Sequence, residues 1–365
     1  MATSKNKSLP IGYLLQDYII TKVLSTGGFS FVYLAQELNK DIVAIKEYMP
    51  TGLALREEGA TVLLNSDDDA ATFKHGLKCF FEEGLALAKI DHKNIVRVTN
   101  FFRENNTVYM VMQYERGKSL QDYILSQTEP VNENFVRRVF SELLNGLREV
   151  HTQKLLHLDI KPANIYIRLD GSPVLLDFGS ARQTLTQVQS KLSPSYTPGF
   201  APPEQYFERK QLGPWSDIYS VGASMYSCLV RSAPIAANLR VKEDFLAPSV
   251  KVGKGIYTEE LLTIIDHCLK LDYMQRPQSV FSLQKALLIN VPPLIERRSL
   301  ARKLKDVLNK PLWLNCDNHQ SITIKMLKRS VKKPWNSPYF KIVAKGQGLI
   351  IKIGWRIRIA KTRYY

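Results

Sequence analysis

A two-lobed α+β fold is what this sequence predicts, on three observations. Residues up to Tyr114 read mainly as strands, and residues beyond Gly117 read mainly as helices. A near-neutral body then gives way to a strongly basic end near residue 290.

In the first part, Tyr18 to Leu24 and Phe31 to Ala35 flank the small-residue turn Ser25-Thr26-Gly27-Gly28, and Ile42 to Glu47 is a short apolar strand. The polar stretch around Asn65 to Asp69 reads as a surface loop, Phe80 to Ile90 has helical spacing, and Val96 to Phe102 and Val108 to Tyr114 add two strands. In the second part, Phe135, Val139, Leu143, Leu147 and Val150 recur at three or four residues, the apolar face of one long helix. Ile165 to Ile167 and Val174 to Leu176 are strands joined at Asp170-Gly171, a hairpin-turn signal. Helices follow over Ser216 to Val230 and Leu261 to Leu269, and Pro292-Pro293 punctuates the end.

The chain of 365 residues carries a net charge of +16, unevenly spread. Residues 291–365 hold 18 of its 50 Lys and Arg but 3 of its 34 Asp and Glu. Such a shift marks a boundary and a change of job. Leu294, Leu300, Leu304, Val307 and Leu308 predict a short amphipathic helix there, with Arg297, Arg302, Lys303 and Lys305 around it. Leu349, Ile351, Ile353, Trp355, Ile357 and Ile359 alternate with Lys352, Arg356 and Arg358, a strand with one apolar and one cationic face. Three readings of this tail stay open: a flanking extension with solvated charges, a contact with nucleic acid or an anionic membrane, or an aberrant end of a longer chain.

Cys79, Cys228, Cys268 and Cys316 have neither metal-ligand spacing nor the density of a disulfide framework, which points to a reducing compartment. The polar residues Met1 to Pro10 lack the apolar core of a signal peptide. No apolar run reaches the roughly 18 residues of a membrane span, so the expected location is the cytoplasm.

Four motifs carry chemistry. The segment Leu24-Ser25-Thr26-Gly27-Gly28-Phe29-Ser30-Phe31-Val32 is a strand–turn–strand of small residues, which lets backbone N–H groups approach a phosphate. Val43-Ala44-Ile45-Lys46 ends a strand in a cation. His157-Leu158-Asp159-Ile160-Lys161-Pro162-Ala163-Asn164 gathers an acid, a base and an amide in one loop, and Asp177-Phe178-Gly179 directly follows a strand. In this order and at these intervals they resemble the motifs of the protein kinase superfamily.

That resemblance covers residues 15–290. It implies a bilobal protein-kinase fold: an N-lobe of antiparallel sheet plus helix C (about 15–114) and a mainly helical C-lobe (about 115–290). Residues 1–14 and 291–365 would be extensions. It also implies a serine/threonine kinase, with Lys161 as the serine/threonine variant of the catalytic loop. Asp159 would be the base and Lys161 would steady the γ-phosphate. Lys46 would bind the α- and β-phosphates of ATP, oriented by Glu83, with Glu82 as the rival. Asn164 and Asp177 would hold Mg2+ or Mn2+.

Gly27, Gly28, Ser25 and Ser30 would form the phosphate loop, although the two serines stand where outer glycines are usual. Val32, Ala44 and the gatekeeper Met112 would enclose adenine, which the backbone of Gln113 and Glu115 would bond. Phe178 would stack with His157 and Leu87, and Gly179 would open the activation segment. That segment closes at Thr197-Pro198-Gly199-Phe200-Ala201-Pro202-Pro203-Glu204, similar to the Ala-Pro-Glu motif with an added proline. Thr197 would sit near the base, Glu204 would pair with Arg276, and Asp217 would brace the catalytic loop.

Leu158 departs from the pattern: an arginine usually precedes the catalytic aspartate and gathers a phosphorylated loop residue. Its loss predicts activity without phosphorylation of residues 182–197. The phrases Ile45-Lys46-Glu47-Tyr48-Met49-Pro50 and Pro198 to Tyr206 resemble a bacterial branch of eukaryotic-type kinases, which also carries an insertion between the lysine strand and helix C. The partners implied are ATP and protein substrates. The rivals are a kinase-shaped scaffold without activity and a nucleic-acid-binding protein with a kinase attached.

Overall fold

The computed structural model describes residues 7–39, 41–57, 59–178 and 196–288, and two strands at 340–345 and 348–353. The chain forms two compact units, Met1–Val291 and Pro292–Tyr365.

The first unit opens with strands β1 (Leu14–Leu15), β2 (Tyr18–Thr26), β3 (Ser30–Glu37) and β4 (Ile42–Tyr48). A small hairpin, β5 (Ala54–Leu55) and β6 (Leu63–Leu64), precedes helix α1 (Ala70–Leu87). Strands β7 (Val98–Glu104) and β8 (Thr107–Gln113) complete a six-stranded sheet in the order β1-β2-β3-β4-β8-β7, and every pairing is antiparallel. Residues 7–15 join this lobe: Leu9 is buried and its N–H donates to the Tyr33 hydroxyl at 3.1 Å.

Central strand β4 is buried on both faces after Ile42. On one face Tyr48 packs against Phe73 and Phe80 of α1, with ring centroids 5.4 and 5.8 Å apart. On the other, Glu47 is wholly buried and accepts hydrogen bonds from Tyr33 (2.7 Å) and Tyr109 (2.6 Å) while pairing with Arg56. Arg56 also donates to the carbonyls of Lys7 and Ala60. This network fastens the segment between β4 and α1 to the outer face of the sheet.

Helix α1 starts ten residues before the periodic stretch Phe80 to Ile90 expected from the sequence. Phe73, Leu77, Phe80, Glu83, Gly84 and Leu87 form its buried face. Three aspartates, 67–69, lead into it as a short 3-10 turn, negative charge that suits a helix N-terminus. Glycine is required at two positions: a Cβ on Gly76 would come within 1.9 Å of the Tyr48 hydroxyl, and one on Gly84 within 1.7 Å of the Phe101 ring.

The C-terminal part of the unit is mainly helical. Strand β9 (Gly117–Ser119) leads into α2 (Leu120–Ser126), where Ser119 caps the helix by accepting from Asp122 N–H at 3.0 Å. Helix α3 (Glu133–Thr152) is capped by Asn132 and buries Val136, Val139, Phe140, Leu143, Leu147 and Val150. Strands β10 (Ile165–Arg168) and β11 (Pro173–Leu175) complete a three-stranded sheet in the order β11-β10-β9. Then come α4 (Pro203–Phe207), α5 (Pro214–Val230), α6 (Ala237–Arg240), α7 (Ser249–Val252), α8 (Glu259–Cys268) and α9 (Val280–Leu288). Among the described residues no helix is long and apolar enough to cross a membrane.

In the second unit, β12 (Phe340–Lys345) and β13 (Gly348–Ile353) form an antiparallel hairpin. The sequence reading extended one strand to Ile359; residues 354–359 and the expected helix over 294–308 lie outside the described residues.

Candidate active site

Strand register assembles the first wall. Val32 lies opposite Lys46, which lies opposite Met110, and Leu34, Ala44 and Met112 form the adjacent row. Cross-strand partners share a face, so Val32, Ala44 and Met112 flank Lys46 on the α1 side of the sheet. Gln113 donates its N–H to the Arg97 carbonyl at 2.9 Å. The Glu115 carboxylate is gripped by both arms of Arg168 at 2.6 and 2.7 Å.

The β2–β3 turn closes through Gly27 N–H to the Ser30 carbonyl at 2.9 Å, with Ser25 opposite Val32. A Cβ added at Gly28 would meet no protein atom within 4 Å, and one at Gly27 only the Ser30 carbonyl at 3.4 Å. Packing within the protein therefore does not demand these glycines, and the loop is open to approach at Gly28.

Lys46 is buried, with Nζ 2.5 Å from Asp177 Oδ1 and 3.8 Å from Glu83 Oε1. Burial alone would lower the pKa of its ammonium, but the Asp177 and Glu83 carboxylates outweigh that and hold it above its ordinary value. Burial pushes the Glu83 carboxyl up to about 7, against the pull of Lys46. Asp177 is thus the stronger partner of the lysine. The Glu83 contact is electrostatic, and its buried Oε1 makes no hydrogen bond. Glu82, the rival, instead lies 3.8 Å from Lys78 on an exposed face.

The loop between α3 and β10 supplies a second cluster. Asp159 Oδ1 accepts the Thr197 hydroxyl at 2.8 Å, and Oδ2 accepts Lys161 Nζ at 2.8 Å and Asn164 Nδ2 at 3.0 Å. Lys161 also donates to Thr197 Oγ1 at 2.8 Å. Asn164 Nδ2 bonds the Asp159 carbonyl at 2.9 Å as well, which leaves its oxygen as the end available to a cation. Asp177, two residues past the end of β11, keeps 45 % of its side chain exposed. An amide oxygen and a carboxylate are hard donors of the kind magnesium takes, and two protein ligands suffice for an ion that keeps waters and phosphate oxygens. The residues present fit such an ion.

Around this cluster the backbone is constrained. Leu158 and Asp177 adopt left-handed conformations, φ +60° and +55°, which cost a non-glycine residue about 1–2 kcal/mol. Asp217, wholly buried on α5, accepts the N–H groups of His157 (2.9 Å) and Leu158 (2.8 Å) and bonds His151 Nε2 at 2.8 Å. Burial would raise its pKa, but His151, His157 and the amides hold it below the usual carboxylate range.

Burial holds the His157 imidazole below its ordinary pKa and so neutral. Its Nδ1 faces the Asp159 N–H at 3.2 Å, so Nε2 carries the proton and donates to the Leu176 carbonyl at 3.1 Å. The His157 and Phe178 rings lie 4.3 Å apart, and Leu87 is also buried. Gly179 lies outside the described residues, as does most of the segment that follows.

Glu204 and Arg276 form a buried two-armed ion pair at 2.8 and 3.1 Å, and the Ser216 hydroxyl donates to the same carboxylate at 2.8 Å. Two features escaped the sequence reading. The Glu47–Arg56 pair is one, because two charges nine residues apart give no sign that both are buried. Gln205 is the other: it is buried and donates Nε2 to the Leu158 carbonyl at 2.9 Å.

The chain is similar to known proteins over most of this unit. The protein kinase domain family matches residues 18–288. Serine/threonine-protein kinase D of Synechocystis sp. is 27% identical over 286 residues, covering 75% of this chain and 52% of that protein. Human serine/threonine-protein kinase Nek2 is 31% identical over 232 residues, 60% of this chain and 51% of its own length. The chain thus spans about half the length of the curated relatives it matches. Among solved structures, the apo form of PpkA-294 is 36% identical with a TM-score of 0.70, covering 77% of this chain and 99% of that one. The Mycobacterium tuberculosis PknI kinase domain is similar in fold alone, at 16% identity, a TM-score of 0.58 and coverage of 77% and 98%. By the extent of the family match, the chain belongs to the protein kinase family.

Proposed function

We propose that this chain is a serine/threonine protein kinase that transfers the γ-phosphoryl group of ATP to protein Ser and Thr hydroxyls, its own included. The observation that carries the reading is the Asp159 carboxylate, which holds a hydroxyl and an ammonium at 2.8 Å together. A base for phosphoryl transfer needs that pairing: it aligns the acceptor oxygen and takes its proton as the oxygen bonds to phosphorus. The bond from phosphorus to the β–γ bridging oxygen breaks, and ADP leaves. Lys161 steadies the γ-phosphate, and Lys46 neutralises the α- and β-phosphates. Asn164 and Asp177 would hold Mg2+ or Mn2+, which when bound offsets phosphate charge. Adenine lies between Val32, Ala44 and Met112 and bonds the backbone of Gln113 and Glu115. The turn from Ser25 to Ser30 covers the phosphates.

The main rival is a scaffold with this fold and no activity. Against it, each charged position the reaction needs is filled: Lys46, Glu83, Asp159, Lys161 and Asp177. Transfer from γ-labelled ATP to a generic basic protein separates the two. The parent should yield phosphoserine and phosphothreonine, and Asp159→Asn should lose about 10²- to 10⁴-fold of the rate. Equal background from both proteins would favour the scaffold. The charge asymmetry of residues 291–365 supports a further reading, that this tail contacts a polyanion such as nucleic acid or an acidic membrane.

A further inference from the structure

We infer that Gln205 is a positioning residue for the catalytic loop, doing by a direct hydrogen bond what the missing arginine at position 158 would do through a phosphate. The inference rests on the kinase reading above and adds to it a residue and a regulatory consequence.

The geometry starts at Leu158. Its side chain is 2 % exposed and its backbone is left-handed, immediately before Asp159. A left-handed residue with a Cβ persists only where its surroundings over-determine it. This turn is held at both its N–H and its carbonyl groups. Asp217 accepts the N–H groups of His157 and Leu158. Gln205 Nε2 donates to the Leu158 carbonyl, the group bonded to Asp159 N, at 2.9 Å. Gln205 is fixed in turn: it is 1 % exposed and follows Glu204, whose carboxylate is clamped by Arg276 and Ser216. The Arg276–Glu204 pair, Gln205 and Leu158 thus form a continuous link from the end of the activation segment to the base, with no phosphate in it.

One detail separates positioning from packing. Gln205 Oε1 is buried with no hydrogen-bond partner. Reversing the amide would set Oε1 against the Leu158 carbonyl oxygen, two acceptors face to face, so the assignment of Nε2 as donor holds. A buried unpaired oxygen counts against stability. An apolar residue of the same length would remove that unpaired oxygen but leave the Leu158 carbonyl without its donor, so the residue contributes to the loop rather than to net packing.

The test is Gln205→Met in the full chain, after phosphatase treatment and mass-spectrometric proof that residues 182–197 carry no phosphate. Loss of one neutral hydrogen bond predicts a fall in kcat of about 2- to 10-fold. The KM for ATP should stay within about twofold, and Tm should change little, because removal of the unpaired Oε1 offsets the loss of the donor to the Leu158 carbonyl. Gln205→Glu adds a readout that packing alone would not move. Burial raises a carboxyl's pKa, so the protonated acid donates to Leu158 at low pH and the carboxylate repels that carbonyl at high pH. Its activity relative to the parent should therefore fall as pH rises from 6 to 9. Should Gln205→Met fail to fold, the Gln205→Glu profile decides alone. A parental kcat in Gln205→Met, or a flat ratio for Gln205→Glu, overturns the inference. A dephosphorylated parent that regains activity only with loop phosphate overturns its regulatory half. A parent that transfers no phosphate in either state overturns the kinase reading itself.

Discussion

At the scale of residues, the active cluster depends on how charge is held away from water. Lys46 stays charged despite burial because two carboxylates face it, while Glu83 stays neutral to about pH 7 because burial outweighs the single lysine at 3.8 Å. The sign for activity follows. Below about 7 the carboxyl is protonated and cannot orient the lysine; above it the ion pair forms. kcat/KM for ATP should therefore rise between pH 6 and 8, and Glu83→Gln should flatten that limb, as read in parallel pH–rate profiles. The sign for stability is opposite. A carboxyl whose folded pKa is raised favours the fold below its unfolded value of 4.5, and that contribution is lost as pH rises through about 7. Melting curves at pH 5 and 8 should show a smaller drop for Glu83→Gln than for the parent. The individual side chains were legible in the sequence where chemistry needs a fixed type at a fixed interval: Lys46, Asp159, Asn164, Asp177. Gln205 was not, because an amide beside Glu204 reads as an ordinary polar residue until the loop it supports is seen to turn left-handed.

At the scale of elements, α1 and the Glu204–Arg276 clamp carry the strongest expectations. Gly84→Ala raises helix propensity by about 1 kcal/mol but drives a methyl into the Phe101 ring, overpacking that costs about 1–3 kcal/mol. The net effect should be a lower Tm, together with a higher KM for ATP as α1 and Glu83 shift. A variant more stable than the parent would argue against the close helix–strand contact. Glu204→Ala leaves the Arg276 guanidinium buried and uncompensated, a loss of about 3–5 kcal/mol in denaturant melts. In that variant Arg276 keeps three carbonyl partners, Lys270, Trp215 and Leu271, whereas Arg276→Met strips those carbonyls of their donor as well and leaves Glu204 a buried, unpaired carboxylate, so it should cost at least as much. Strand and helix identity was readable from apolar spacing, as α3 illustrates. The start of α1 was not, since Asp67-Asp68-Asp69 is equally at home in a loop. The small hairpin after β4 was hidden because its buried anchor, Arg56, meets Glu47 only in three dimensions.

At the scale of the whole molecule, the chain divides into a near-neutral unit, Met1–Val291, and a second unit, Pro292–Tyr365, that carries almost all of the net charge. If phosphoryl transfer belongs to the first unit, a chain ending at Val291 should keep the parental kcat on a generic substrate within about twofold, the scatter expected when two units do not couple. If the second unit binds polyanions, the full chain should be retained on DNA or on vesicles of acidic lipid at low salt, released as salt rises, and ignored once cut at Pro292. The central claim is that Lys46, Asn164 and Asp177 converge with Asp159 on one nucleotide–metal complex. Electron paramagnetic resonance of Mn2+ titrated with ATP and protein tests it most directly. The account predicts a bound Mn2+–ATP signal for the parent and for Asp159→Asn, lost in Asp177→Asn and weakened in Lys46→Met. An unchanged signal in Asp177→Asn would contradict it.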